Sequence, residues 1–390
     1  MASALTSSVM RNVVLGASVF FFACASGDPK DNLPDPYEFI PSVPNPTPVA
    51  VAPLAEGVTT LAGYSEPGDF DGPRGHAFFD NPVNVLAVGD QVFVADFYNG
   101  RIVQIAPDGN AETVVRQDSF DRPFGMLLLD ESTLLIQTDR NTSGGLNGAL
   151  WRYDMPSKTI TLVADEIGRP RFMVKMNDGR IVAVDYEKHV VEFLDPDTGA
   201  VTPFAGSAGQ AGYVDGNGSA ARFNEPRALV AVSDTEVVLV DRLNHVLRKV
   251  SMNGDVSTWA GSNESGNADG GRAEARFFEP LSLARGPDGS LYVGDGNNFR
   301  IRKITPDDTS APVGTVGRSL LEEGADAPGM VSTLAGTGEA GYRDDSLPTN
   351  AQFRGMEGIH VSTDGRFLYV ADGARGRQEQ FNRIRRVTLQ

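Results

Sequence analysis

The sequence predicts an all-β protein made of repeated four-stranded units, and three observations lead to this fold class. A motif of apolar strand, tight polar turn and second strand recurs along the chain. A proline opens a further strand before most copies, and a short apolar strand follows most copies. The chain also begins and ends partway through a unit. Four short strands per unit, repeated every 45 to 75 residues or so, roughly match the blades of a β-propeller.

The clearest copy of the motif is Leu291–Ile304, in which Asp295 ends the first strand and Asn298 lies in the turn. In the other copies, the strand before the turn is Val92–Asp96, Leu134–Asp139, Ile181–Asp185, Val238–Asp241 or Leu368–Asp372. The strand-opening prolines are Pro82, Pro123, Pro170, Pro226 and Pro280, with Met356 in this place in the last copy. Proline suits the first residue of a strand. The chain therefore holds six units.

The two ends of the chain predict how the ring closes. Val58–Gly63 has the pattern of a fourth strand with no unit before it, and Ile384–Thr388 that of a third strand with none after it. Pairing the two completes a sixth blade and removes open sheet edges at the seam. The sequence therefore predicts a closed six-bladed β-propeller.

The repeated motif resembles that of the NHL-repeat family of six-bladed propellers, whose core is written lyVaD…N.RI.ki. The resemblance covers roughly residues 57–390, and blades 2 and 3 depart from it because they lack the long glycine-rich connecting loop and the turn Asn. It implies a scaffold that binds proteins or glycans more often than an enzyme. The alternatives are a metal-dependent hydrolase or lyase resembling the propeller lactonases, with its site in the central channel, and a purely structural component of the cell envelope.

The N-terminus has the pattern of an export signal. Arg11 precedes the apolar run Val13–Ala23, which is too short for a membrane-spanning helix, and Cys24 follows. The position of Cys24 resembles the lipidated cysteine of bacterial lipoproteins. We predict three segments: signal peptide 1–23, Pro-rich tether 24–56 and propeller 57–390. The protein is then expected in the bacterial envelope, anchored by lipid at Cys24, with ordinary secretion or a cytosolic chain with an apolar start as the alternatives.

The net charge of −17 argues against nucleic acid as a partner, because phosphate binding needs a basic face. The expected partner is a protein or a glycan, and the expected oligomeric state is a monomer. Cys24 is the one cysteine, so an internal disulfide is excluded.

The repeated polar residues are predicted to be structural, because a site that does chemistry once does not need several copies of its residues. Asp and Asn side chains bond turn amides. This applies to Asp96, Asp241, Asp295, Asp372, Asn99, Asn244 and Asn298. The Asp-Gly pairs at 71–72, 215–216 and 269–270 are interpreted as turns.

No catalytic residue, cofactor or metal is predicted, and calcium and zinc remain as alternatives. Asp69–Gly72 lacks the spaced oxygens and terminal Glu of a calcium loop. The histidines His76, His189, His245 and His360 share no ligand spacing, although three could meet at a central channel.

Candidate ligand-binding residues lie just after the strand-opening prolines, where the first strands begin at the mouth of the channel. This position holds Val83, Phe124, Arg171, Arg227, Leu281 and Glu357, with Asn84 beside it. Arg171 and Arg227 could clamp a carboxylate or phosphate. Alternatively, each arginine pairs with a nearby acid.

The long connecting loops (63–82, 206–226, 261–280 and 336–356) and two turn insertions (141–149 and 373–381) are expected to elaborate one face, which we predict to be the binding face. The insertion 305–330 is expected on the opposite face.

Overall fold

The computed structural model describes residues 54–307, 328–373 and 381–389. These residues form six antiparallel sheets, and the first strands of successive sheets contact one another in a complete ring. The predicted six-bladed β-propeller is confirmed.

The strands follow the predicted order, four to a blade, with a short fifth strand in two blades. β1 is Val58–Tyr64, and blade 1 holds β2 (Pro82–Val88), β3 (Gln91–Asp96), β4 (Arg101–Ile105) and β5 (Ala111–Arg116). Blade 2 holds β6 (Pro123–Leu128), β7 (Thr133–Thr138), β8 (Ala149–Asp154) and β9 (Thr159–Asp165). Blade 3 holds β10 (Pro170–Lys175), β11 (Ile181–Asp185), β12 (Val190–Leu194) and β13 (Val201–Gly206).

Blade 4 holds β14 (Gly216–Asn217), β15 (Pro226–Ala231), β16 (Glu236–Asp241), β17 (Val246–Ser251) and β18 (Asp255–Ala260). Blade 5 holds β19 (Gly270–Gly271), β20 (Ser282–Arg285), β21 (Leu291–Asp295), β22 (Arg300–Ile304) and β23 (Met330–Ala335). Blade 6 holds β24 (Gly358–Val361), β25 (Phe367–Asp372), β26 (Asn382–Thr388) and β1. Short 3-10 turns lie at Gly218–Ala220, Arg242–Asn244, Gly296–Asn298 and Pro348–Asn350.

The ring closes as predicted, because β1 pairs antiparallel with β26. Val58 lies opposite Val387, and Tyr64 lies opposite Asn382. One blade is therefore built from both ends of the propeller sequence.

The hydrophobic core is divided among the interfaces between neighbouring blades. Four of these interfaces receive a fully buried phenylalanine, each of which ends an Ala-x-Phe sequence in a long connecting loop: Phe79, Phe223, Phe277 and Phe353. Burying one such ring contributes roughly 1.5–3 kcal/mol. The long loops thus serve the core as well as the surface.

The propeller has two faces, which we name by the turns they carry. The upper face carries the turns between second and third strands, such as 97–100 and 242–245, and there the connecting loops leave one blade and join the next. The lower face carries the turns between first and second strands and between third and fourth strands, such as 89–90 and 106–110. β1 begins at the lower face because it is a fourth strand.

The sequence led us to expect the long connecting loops on the upper face only, and this expectation was wrong. Their middle parts run along the outermost strand of the blade and pair with the start of that strand, near the lower face. Gly216–Asn217 pairs with β18 and Gly270–Gly271 with β23, while Gly72 pairs with Ala111 and Asp345 with Val58. We call these four stretches the covering segments. Backbone pairing along an open edge explains why the loops are long.

Several predictions fall outside the described residues. The signal peptide, Cys24 and all but the last residues of the tether precede residue 54, and most of the 305–330 and 373–381 insertions is likewise not described. The domain boundaries therefore stay predictions. Among the described residues, no helix has the length and apolar character needed to cross a membrane.

Candidate functional site

The repeated Asp, Asn and Arg residues form a buried network inside each regular blade. In blade 4, Arg248 is fully buried and donates to Asp241 at 2.8 Å and to Asp215 of the covering segment at 2.5 Å. Asn244 in the turn donates to Asp241 at 2.8 Å and to the carbonyl of Gly212 at 2.7 Å. These side chains hold the strands, the turn and the covering segment together, as a structural role requires. The Asp-Gly pair, interpreted as a turn, instead supplies the second carboxylate of the network.

The Asp–Arg pair of this network recurs in blades 1, 5 and 6 with one change of register. Arg302 and Arg385 bond Asp295 and Asp372 at 2.9 and 3.1 Å. In blade 1, Arg101 reaches Asp96 at 2.7 Å from a position two residues earlier on its strand. Burial raises the pKa of Asp96, Asp241 and Asp295 to about 6 in each case, which leaves the carboxyls ionised beside their arginines at neutral pH.

In blade 3, the cation that pairs with the repeated Asp comes from the turn and not from the third strand. Glu192 lies opposite Pro203 as Arg248 lies opposite Thr258, so an acid occupies the place of the arginine. Lys188, three residues after Asp185, bonds that carboxylate at 2.8 Å from the turn. The blade thus keeps one cation for its Asp but places it in the turn.

Blade 2 departs further. Thr138, not Asp139, holds the register position of the repeated Asp, because it lies opposite Pro123 as Asp96 lies opposite Pro82. Asp139 comes one residue later and contacts the channel residue Arg171. The sequence alignment of this weak copy was therefore wrong by one residue.

The predicted channel-mouth residues are almost completely buried, and both arginines have acidic partners. Arg171 makes a two-pronged pair with Asp139, with its Nε donating at 3.0 Å, and its guanidinium lies 4.3 Å from the ring centres of both Phe124 and Tyr186. Arg227 donates to Glu357 at 2.6 Å, which joins blade 4 to blade 6. Stacking and pairing fix these side chains in place.

The electrostatics follow from these pairs. Burial alone would lower the pKa of Arg171, but Asp139 and Tyr186 raise it above the ordinary value. Burial alone would raise the pKa of Asp139, yet Arg171 and Arg169 hold it below the usual range. Both members are thus charged at neutral pH, and an anionic ligand would have to compete with carboxylates already in place. Whether these residues bind such a ligand stays a prediction.

Asn84 and two of the histidines connect neighbouring blades. The Asn84 amide donates to the carbonyl of Phe124 at 3.0 Å. His189 and His245 each accept, through Nδ1, the backbone N–H of a glutamate in the next blade, Glu225 and Glu279, at 3.1 and 3.2 Å. The histidines therefore do not converge at the channel.

The central channel contains a cavity of about 430 Å³ among the first strands of the six blades. Its wall includes the turn residues Pro287 and Thr363, so it extends to the lower face. His360 lines the cavity, and its Nδ1 accepts the N–H of Ala87 at 3.3 Å. Burial lowers the pKa of His360 to about 4, so this imidazole is neutral at physiological pH. In the described part of the chain, no three His, Cys, Asp or Glu side chains are grouped so that they could hold a metal ion.

Sequence reasoning missed a cluster of exposed aromatic rings in the connecting loop of blade 1. Tyr64 stacks on Phe78 with ring centres 5.4 Å apart, and Phe70 meets the edge of Phe78 at 5.8 Å. Tyr64 and Phe70 remain 47% and 45% exposed. The turn residue Asn99 bonds Gly68 of the same loop, which places the cluster beside the upper face. The three aromatic letters were visible in the sequence, but their contact was not.

Comparison with known proteins agrees on the fold. No protein-family model matches the chain. A solved structure of a Bacteroides thetaiotaomicron protein of unknown function matches with a TM-score of 0.64 at 20% identity, over 86% of this chain and 76% of that one. An auxiliary nutrient binding protein from Bacteroides thetaiotaomicron matches with a TM-score of 0.60 at 18% identity, over 84% and 75%. At these identities the likeness shows a shared propeller fold.

A sequence relative covers part of the chain. Protein SUPPRESSOR OF QUENCHING 1, chloroplastic, of Arabidopsis thaliana is 31% identical over 128 residues. The match spans 31% of this chain and 12% of that protein. The six sheets and the solved structures that share them make the protein described here a six-bladed β-propeller.

Proposed function

We propose that this protein is an exported, lipid-anchored scaffold that binds a protein or glycan ligand at the upper face of its propeller. The observation that carries the proposal is the cluster of Tyr64, Phe70 and Phe78, in which Tyr64 and Phe70 are exposed and which we call the aromatic cluster. Aromatic side chains are enriched at the centres of recognition surfaces, since they offer a large apolar area at a small cost in conformational entropy.

Two of the three rings, Tyr64 and Phe78, stand at positions that are polar in the other long loops. The residue after Ala-Gly is Tyr64 in blade 1 and Ser207, Ser262 or Thr337 elsewhere. The residue between the Ala and Phe of the core sequence is Phe78 in blade 1 and Arg222, Arg276 or Gln352 elsewhere. Arg222 and Arg276 cap carbonyls of their own loops. Since polar residues suffice for the loop, its exposed rings favour a ligand-binding role.

β1 begins at the lower face, on the side of the propeller opposite to the aromatic cluster. The NHL-like motif and the fold shared with an auxiliary nutrient binding protein are consistent with capture of a ligand.

The test replaces the aromatic cluster with residues that the chain already uses in its other loops. Tyr64→Ser with Phe78→Arg copies the loops of blades 4 and 5. We expect this variant to keep the thermal midpoint of the parent and to lose ligands found by glycan-array and pull-down screening, with affinity at least about tenfold weaker, equivalent to roughly 1.4 kcal/mol.

Tyr213→Ser is the matched control, because Tyr213 is an exposed ring of the blade 4 loop outside the aromatic cluster. It should bind as the parent does. Equal ligand binding by the double variant and the parent would exclude the aromatic cluster as the site. Export and lipidation are checked separately, by labelling with a palmitate analogue in cells that carry the parent or Cys24→Ser.

A further inference from the structure

The six blades differ in whether the outermost strand of the sheet is paired with a further segment of the chain. The outermost strands β1, β5, β18 and β23 are paired with covering segments. In blade 1, Ala111 exchanges two backbone hydrogen bonds with Gly72, at 2.8 and 3.0 Å. In blade 6, Val58 does the same with Asp345, at 2.9 and 3.1 Å. Such pairing prevents an edge from joining the sheet of another molecule.

Within the described ranges, no covering segment pairs with the edge of blade 2 or blade 3, and these two edges differ. The outermost strand of blade 3, β13, carries Pro203 in its middle. Proline has no N–H to offer and is a common way to block an edge. The outermost strand of blade 2, β9, contains no proline and no charged residue before its last residue, Asp165. No residue of β9 is buried, and Leu162 is 45% exposed.

The register of the other blades shows which backbone groups of β9 point outwards. Leu162 lies opposite Trp151 on the neighbouring strand, as Thr113 lies opposite Val103 in blade 1, so Leu162 is equivalent to Thr113. Two residues earlier, Ile160 is equivalent to Ala111, whose N–H and C=O both bond the covering segment. The N–H of Thr113 also points outwards, where it donates to Asp71 at 2.8 Å. Ile160 and Leu162 therefore direct their backbone groups away from blade 2, and no segment in the described ranges bonds them.

We propose that β9 pairs antiparallel with β9 of a second copy of this chain, about a two-fold axis at Thr161. Ile160 then lies opposite Leu162 of the second copy and Leu162 opposite Ile160 of the second copy. Each pair exchanges two backbone hydrogen bonds, and blade 2 continues into blade 2 of the second copy. The contact is isologous, as a two-fold interface requires.

A second copy fits this edge better than a strand of other chemistry for two reasons. The outward groups lie two residues apart on either side of Thr161, so the edge is complementary to itself in the antiparallel direction. The stretch Thr159–Ala164 is uncharged, so it brings no like charges together despite the net charge of −17 on each chain. The aliphatic side chains of Ile160 and Leu162 lie on one face of the strand and form cross-strand pairs in the dimer.

The chain itself supplies the test variant. Pro203 of β13 holds the register position of Leu162, because it lies opposite Glu192 as Leu162 lies opposite Trp151. Leu162→Pro thus copies blade 3, removes an outward N–H and leaves the bonds within blade 2 intact. Leu162→Thr is the matched control, since threonine stands here in the covered blades and retains the N–H.

The experiment is sedimentation velocity on the full chain, from about 1 to about 500 µM, at an ionic strength of about 0.15 M or above to screen the net charge. A reducing buffer prevents disulfide-linked dimers through Cys24. We expect reversible dimerisation of the parent, somewhat weaker dimerisation of Leu162→Thr because its Ile160–Leu162 side-chain pairs are lost, and dimerisation of Leu162→Pro at least about tenfold weaker than that of Leu162→Thr. Thermal unfolding checks that each variant folds.

Two further measurements keep the proposal falsifiable if Leu162→Pro fails to fold. Thr161→Lys places like charges directly opposite at the two-fold axis and should weaken the dimer. Hydrogen exchange should show that the amides of Ile160 and Leu162 become protected as concentration rises. A parent that stays monomeric at every concentration, or a dimer that leaves these amides unprotected, would overturn the proposal.

Discussion

At the scale of single residues, Glu192 is the most unusual group of the buried network. It is fully buried, and neither of its carboxylate oxygens has a hydrogen-bond partner within the described residues. Burial, followed by the nearby charge of Asp185, raises the pKa of Glu192 to about 7. Lys188 opposes this rise but already bonds Asp185. Glu192 therefore exchanges its proton near neutral pH, whereas the unfolded chain would do so near 4.5.

The raised pKa gives a stability prediction with a definite sign. The native state binds the proton more tightly than the unfolded state, so the contribution of Glu192 is fully present below pH 4.5 and is lost as pH rises through 7. Glu192→Gln keeps the neutral form at every pH. We expect it to match the parent at about pH 4 and to exceed it at about pH 8, by up to roughly 3 kcal/mol in the free energy of unfolding.

Urea unfolding at the two pH values measures this difference. Glu131→Gln, in an exposed turn, is the control and should change stability little at either pH. A stability gap for Glu192→Gln that is the same at both pH values would mean that Glu192 does not titrate between them.

At the scale of elements, one buried arginine pairs with two carboxylates, one from the blade and one from the covering segment, and the two pairs are not equivalent. Asp241 is fully buried beside Arg248, whereas the side chain of Asp215 is 53% exposed. Asp241→Ala would leave a buried charge without its inner partner, at a cost of about 3–5 kcal/mol. Asp215→Ala removes a half-exposed carboxylate whose place water can take beside Arg248, so it should cost about 1 kcal/mol in the free energy of unfolding. Urea unfolding of the two variants measures the difference, and equal losses would contradict the assigned order.

The sequence predicts these elements well where the signals are local. Alternating apolar residues, strand-opening prolines and turn glycines locate the strands and the closure of the ring. The covering segments escaped prediction because Asp215-Gly216 has the composition of a turn, and only its pairing with β18, about forty residues later, makes it a strand. The partner of Arg227 escaped for the same reason, since Glu357 lies 130 residues away in sequence. Local sequence patterns do not show which distant residue a strand or a charged side chain pairs with.

At the scale of the whole molecule, the ring depends on one seam between residues that are far apart in sequence. β1 and β26 bring Val58 opposite Val387, and both side chains are fully buried. Closing a loop of this length costs conformational entropy that the seam contacts must offset. The seam is therefore the place where a covalent link between the chain ends should add most to stability.

A disulfide across the seam tests this directly. We expect Val58→Cys with Val387→Cys, in a Cys24→Ser background, to oxidise readily, because directly opposed residues of antiparallel strands lie within disulfide range. The oxidised form should be more stable than the reduced form by about 4–5 kcal/mol, because the link restricts the unfolded chain. The reduced form of the same variant is the control, since it carries the same loss of two valines. Failure to oxidise would show that β1 does not lie beside β26, whereas equal unfolding midpoints for the two forms would mean that the propeller unfolds without opening its seam.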